Sequence, residues 1–232
     1  METQFHGKLD ALRVKLLEMA ARAQNAVENA TEALLQRDAE LAERVIAEDR
    51  IIDAIECEVD DMSLRLLALD APVAVDLRSV VGMMRVSVNL ERIGDEAVNI
   101  ARQAKYLSSR PALPFEENLR ELCSVALDML KTSIVALREG DSLLAREVCR
   151  MDEECDELDV EVIKELVNYM GYESPAVKRA VAAILSSRSL ERVGDLSTNV
   201  GEAVVFIVEG ESIKHKICSE NSVTIRERKS SQ

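Results

Sequence analysis

Apolar residues recur along this chain at the three- and four-residue spacing of helices that bury one face. From about Lys8 to Gln36 the stripe reads Leu9, Leu12, Leu16, Met19, Ala23, Val27, Ala30 and Leu34. Asp38 is placed to cap a second helix. That helix carries Leu41, Val45, Ile52, Ile55, Val59, Met62, Leu66 and Leu69. Asp70-Ala71-Pro72 breaks it, and Pro72 suits the first turn of a third helix. The third helix extends to about Leu107 through Leu77, Val80, Met84, Val88, Ile93 and Ile100. Arg110-Pro111-Ala112-Leu113-Pro114 holds two prolines close together and marks a boundary between halves. The pattern then restarts. A fourth helix is expected from Leu119 to Arg138, with Gly140 as C-cap and Asp141 capping a fifth that runs to about Met170. Gly171 and Pro175 make the next break, and a sixth helix continues to about Val208. The tail, residues 211–232, is polar and weakly periodic, and partial disorder is expected there.

The second half repeats the first. Asp38 recurs as Asp141, and Asp49 and Asp53 recur as Asp152 and Asp156 at the same offset. Glu91 and Asp95 recur as Glu191 and Asp195 at an offset three residues shorter. The expected architecture is all-α: two tandem three-helix bundles, six long helices in all, built by internal duplication. Residues 1–110 form the first repeat and 111–210 the second.

Composition sharpens this picture. The chain has 232 residues, 47% of them hydrophobic but only 3% aromatic. Such a core of aliphatic side chains suits interdigitated helices better than a β-sandwich. The formal net charge of −14 argues against direct nucleic-acid binding, which needs clustered Lys and Arg. The five cysteines form no Cys-x-x-Cys pair and read as reduced thiols. No run approaches the roughly 20 apolar residues of a membrane span. Glu18 and Arg22 interrupt any signal-like apolar stretch. A cytoplasmic protein is expected.

Candidate chemistry lies in a stretch that occurs twice. Glu91-Arg92-Ile93-Gly94-Asp95 with Asn99 returns as Glu191-Arg192-Val193-Gly194-Asp195 with Asn199. Residues four apart share a helix face, so each copy stacks three oxygen-bearing side chains. In an antiparallel hairpin, residues equidistant from the turn lie level. Asp53 and Glu91 are equidistant from Pro72, and so are Asp49 and Asp95. In the second repeat, Asp156 pairs with Glu191 and Asp152 with Asp195 about a midpoint beside Ser174-Pro175. Each hairpin therefore assembles a square of four carboxylates.

A single Asp-x-x-x-Asp among 43 acidic residues is ordinarily a solvated face with arginine partners, here Arg50, Arg85, Arg92, Arg188 or Arg192. Two matched squares are harder to dismiss. Like charges 4 Å apart repel by about 1 kcal/mol in water and about 4 kcal/mol at an effective dielectric near 20. Gly94 and Gly194 each cost a helix interior about 1 kcal/mol relative to Ala, which fits a need for close approach. Metal binding is the better reading. The ligand candidates are Asp49, Asp53, Glu91, Asp95 and Asn99 in one site, and Asp152, Asp156, Glu191, Asp195 and Asn199 in the other. All are oxygen donors, suited to hard cations such as Mg²⁺, Mn²⁺, Ca²⁺ or iron. Neither His6 nor His215 lies near a square, which disfavours a di-iron oxidase. No Walker loop and no nucleophile with an adjacent base is present.

Pro72 to Arg78, Leu90 to Asp95 with Asn99-Ile100-Ala101, and Leu190 to Asp195 with Thr198-Asn199 together resemble the PhoU family. The resemblance covers roughly residues 8 to 210. It implies two three-helix bundles and a cytoplasmic, homodimer-forming protein. It also implies multinuclear metal clusters of iron, zinc or magnesium type on the Glu/Asp-x-x-x-Asp pairs. The implied role is negative regulation of phosphate uptake and of phosphate-starvation signalling. The implied partners are the ATPase subunit of a phosphate ABC transporter and a sensor histidine kinase, so contact with the membrane would be indirect. The second repeat has Pro175-Ala176-Val177-Lys178-Arg179 where the first has Asp76-Leu77-Arg78. Two other classes compete with a non-enzymatic regulator: a metal-dependent phosphohydrolase and a purely structural helical protein. The hydrolase needs a cationic side chain aimed at an open site, with Arg78 and Arg85 as candidates near the first square.

Overall fold

Helices form where the apolar stripes call for them. The computed structural model describes residues 2–114 and 117–213. In it α1 spans Glu2–Gln36, α2 Ala39–Glu48, α3 Arg50–Asp70 and α4 Ala74–Ser108. Then α5 spans Glu117–Glu139, α6 Ser142–Tyr172 and α7 Val177–Glu209, with a short 3₁₀ turn at Ser174–Ala176. The chain is all-α, with no strand among the described residues. The disorder expected of the tail falls mainly on residues 214–232, outside the described residues.

The second expected helix is two segments, α2 and α3, meeting at Asp49. That residue keeps helical angles (φ −51°, ψ −42°), so the rod changes hydrogen-bond spacing without turning back. Ile52 N–H bonds to Asp49 O at 2.8 Å, a local three-residue step. Asp38 and Asp141 both act as N-caps, each accepting from two backbone amides of the following turn. Just before them Arg37 (φ 61°) and Gly140 (φ 68°) close α1 and α5 in the left-handed conformation. The arginine occupies the site that its repeat mate fills with glycine. Its guanidinium donates to the carbonyls of Leu107, Ser108 and Arg110, tying the end of α1 to the end of α4. Pro72 lies just before α4, while Pro175 opens the 3₁₀ turn that leads into α7.

One contiguous core joins both repeats, from Phe5 to Ile213. α4 buries Val80, Met83, Val86, Leu90, Ile93, Ala97 and Ile100. Leu77 and Val88, expected inside, are 42% and 47% exposed. At about 100° per residue, positions 77, 84 and 88 fall roughly 40–80° to one side of buried Val80, so that stripe leaves the buried face. α4 packs against α1, α2 and α3 on its own side and against α7 across the repeat boundary.

α4 and α7 run antiparallel, and arginines tie both ends of the pair. Arg78 Nε donates to Ile207 O at 3.0 Å, near the end of α7. At the opposite end Arg179 donates to Pro111 O at 2.8 Å and Ala112 O at 3.1 Å, just past α4. Between them Arg192 pairs with Glu96 at 3.0 Å. The second repeat thus departs from the first in sequence around Arg179 while keeping the arginine that bridges to the other half. No described helix is long and apolar enough to cross a membrane.

Candidate metal centre

The carboxylates of each square come from neighbouring helices of one hairpin. Asp49 ends α2, Asp53 lies in the first turn of α3, and Glu91 and Asp95 are one turn apart on α4. Asp152 and Asp156 lie on α6, with Glu191 and Asp195 on α7. The glycines explain how close the helices come. A Cβ on Gly94 would sit 3.0 Å from Ile52 Cδ1 and 3.2 Å from Asp49 Oδ1. One on Gly194 would sit 2.9 Å from Cys155 Sγ. Each glycine lets the partner helix approach the acidic turn.

Convergence is tightest in the second repeat. One oxygen each from Asp156, Glu191 and Asp195 lies within 4.8 Å of the others. Asp152 completes the group from one turn away, accepting a hydrogen bond from Thr198 Oγ1 at 3.2 Å. Burial and mutual repulsion act together. Glu191 is pushed up to about 7 by desolvation first, then by Asp195, Asp156 and Asp159. Asp152 is pushed up to about 6 by desolvation, Asp195 and Asp156. Desolvation also raises Asp156 and Asp195. In the first repeat, burial raises Asp49, helped by Asp53 and Asp95. Burial likewise raises Glu91, with Asp95, Glu56, Asp53 and Asp49 adding to it. Among the described residues no Lys or Arg forms an ion pair with Asp49, Asp53, Glu91 or Asp95. In the second square Arg188 reaches Glu191 only at 4.0 Å, and the net shift of the square's acids is still upward. Partly buried carboxylates that repel one another in this way fit a hard cation with oxygen ligands. The residues that would hold it are Asp156, Glu191, Asp195 and Asp152, and the corresponding four in the first repeat.

The two asparagines have other neighbours as well. Asn99 donates to Glu96 Oε2 at 3.2 Å and accepts from Arg102 at 3.4 Å. Asn199 lines a groove with Arg85 and Arg92. One turn of helix separates each from its aspartate, enough to swing an amide toward a different neighbour. A fifth acid was missed in each repeat. Glu56 acts on Glu91, and its own pKa is raised by burial, Asp60 and Asp53. Asp159 is 1% exposed, accepts from Ser187 Oγ at 2.5 Å and pairs with Arg188 at 2.9 Å. Glu56 and Asp159 are repeat mates at the same offset as Asp49 and Asp152, so self-alignment held the signal. Neither arginine considered for hydrolysis forms an ion pair with the first square among the described residues. Arg78 holds the end of α7, and the Arg85 guanidinium lies 4.3 Å from the centre of the Phe206 ring.

Comparison with known proteins bears on the family and the fold. The PhoU domain model matches twice, at residues 16–104 and 119–204. The chain is 35% identical over 209 residues to the phosphate-specific transport system accessory protein PhoU homolog of Aquifex aeolicus, covering 90% of this chain and 95% of that one. It is 29% identical over 212 residues to the Escherichia coli accessory protein PhoU, covering 91% and 88%. The crystal structure of PhoU from Pseudomonas aeruginosa superposes with a TM-score of 0.87 at 33% identity, over 89% of this chain and all of that one. The phosphate transport system regulatory protein PhoU from Streptococcus pneumoniae gives 0.83 at 27% identity, over 90% and 98%. These relatives are named as accessory or regulatory proteins, not as enzymes. With both repeats matched and the helical architecture shared, this chain belongs to the PhoU family.

Proposed function

We propose that this protein is a metal-binding accessory regulator of phosphate transport, acting in the cytoplasm as an adaptor. It restrains phosphate uptake and phosphate-starvation signalling by bridging the ATPase subunit of a phosphate ABC transporter and a sensor histidine kinase. The observation that carries the reading is the pair of acidic hairpins in a fold shared with transport accessory proteins. Long packed helices offer broad, rigid faces, which suit protein partners better than small substrates. Divalent or iron cations would bind the squares, relieve their repulsion and leave coordination positions open toward a partner. A homodimer would double the number of such faces.

The test is genetic and biochemical together. Deleting the gene is expected to leave the phosphate-starvation response switched on in phosphate-rich medium. The wild-type chain should restore shut-off, and a Glu91→Ala/Glu191→Ala variant should restore it poorly. A deletion strain that shuts the response off normally would reject the regulatory reading.

A further inference from the structure

By the antiparallel register of α4 and α7, Arg192 of one repeat meets Glu96 of the other. The repeat mates of that pair are Arg92 and Leu196. Leu196 is buried and cannot accept a hydrogen bond, so the duplication left Arg92 without the carboxylate that its mate has. Among the described residues Arg92 makes no ion pair. Its side chain lines a groove of about 560 Å³ between α4, the second half of α7 and residues 212–213.

Arg85 lines the same groove two turns away, with Asn89 between them and Asn199 and Ser212 opposite. The Arg85 guanidinium lies over the Phe206 ring, 4.3 Å from its centre, a contact that uses no N–H hydrogen bond and leaves its donors to the groove. Asn89 donates to Arg85 O, which fixes its amide on the groove wall. The ionisable lining is two arginines against one carboxylate, Glu202, in a chain of net charge −14. A groove with a net positive lining stands out on such a surface.

We propose that this groove binds a phosphoryl group, held between Arg92 and Arg85 with the Asn89 and Asn199 amides supplying further polar contacts. A carboxylate has two oxygens and one charge, and one guanidinium fork satisfies it. A phosphate has more oxygens and up to two charges, which matches two forks approaching from one helix. Free phosphate and a phosphate ester share this chemistry, and the groove has room for either. Glu202 of this groove also acts on Asp152 of the second square, while the two arginines need no cation to hold an anion.

Isothermal titration calorimetry on the full chain decides it, with inorganic phosphate and AMP as probes, each run with and without EDTA. Binding is expected to survive EDTA and to weaken by about tenfold or more in Arg92→Gln, as loss of a charge-assisted bidentate contact requires. Arg85→Gln is expected to weaken it as well. Arg192→Gln, which removes the paired mate, is expected to leave it unchanged. Tighter binding of phosphate than of AMP assigns the free anion, and the reverse assigns an ester. No heat from either probe at about 10 mM, weaker than almost any specific site, overturns the proposal. Affinity unchanged in Arg92→Gln, or lost on adding EDTA, overturns it equally.

Discussion

Glu191 shows what burial does to one carboxyl group in this protein. Its pKa is raised from 4.5 to about 7 by desolvation and neighbouring acids, so the fold favours its protonated form. A group raised in this way stabilises the fold fully below its unfolded pKa and loses that contribution as pH rises through the folded value. Asp152 follows the same course from 3.8 to about 6. Chelated protein is therefore expected to lose thermal stability between about pH 4.5 and 7, with saturating divalent cation restoring it at the upper end. Asp95→Asn/Asp195→Asn is expected to bind less metal by elemental analysis and to match or exceed the melting temperature of chelated wild type. Unchanged metal content would reject the assignment. The thiols make a second case. Burial pushes Cys123, Cys149 and Cys155 up to about 12, whereas Cys57 is exposed. At pH 8 only about one in 10⁴ of such buried thiols is ionised. Among the cysteines of the described residues, Cys57 alone should be alkylated by iodoacetamide in native protein, as peptide mass spectrometry would show.

Helices come within contact of one another here because glycine allows it, and the cost differs by position. A Cβ on Gly201 would lie 2.8 Å from the backbone oxygen of Ala145, which cannot rotate aside as a side chain can. Gly201→Ala is expected to destabilise by about 1–3 kcal/mol through overpacking. Gly171 lies near the end of α6 with nothing within 4 Å of the added carbon. Gly171→Ala should gain up to about 1 kcal/mol from helix propensity. Denaturant midpoints of the two variants should move in opposite directions. Periodicity and caps made the helices themselves legible. The break at Asp49 was not legible, because its residues keep helical angles and only the hydrogen-bond spacing changes.

Over the whole molecule, the two repeats share one core and are locked by Arg78, Arg179 and the Arg192–Glu96 pair. Unfolding one repeat would expose the α4–α7 face of the other. Calorimetry is expected to give a single transition whose calorimetric and van't Hoff enthalpies agree. Two resolved transitions would show the repeats to be independent.

Spacing alone determined the helical class, the duplication and which acids stand level across each hairpin. Each of these follows from helix geometry, which acts over a few residues and repeats without knowledge of the rest of the chain. Tertiary structure decided everything that depends on what a side chain meets across an interface. It drew Asn99 toward Glu96 and Asn199 into the groove with Arg85 and Arg92. It brought Asp156, Glu191 and Asp195 closest together and buried Asp159 against Ser187 and Arg188. It also turned Arg78 and Arg179 into ties between halves, since an arginine's reach spans several turns and its partner is set by the helix packed opposite.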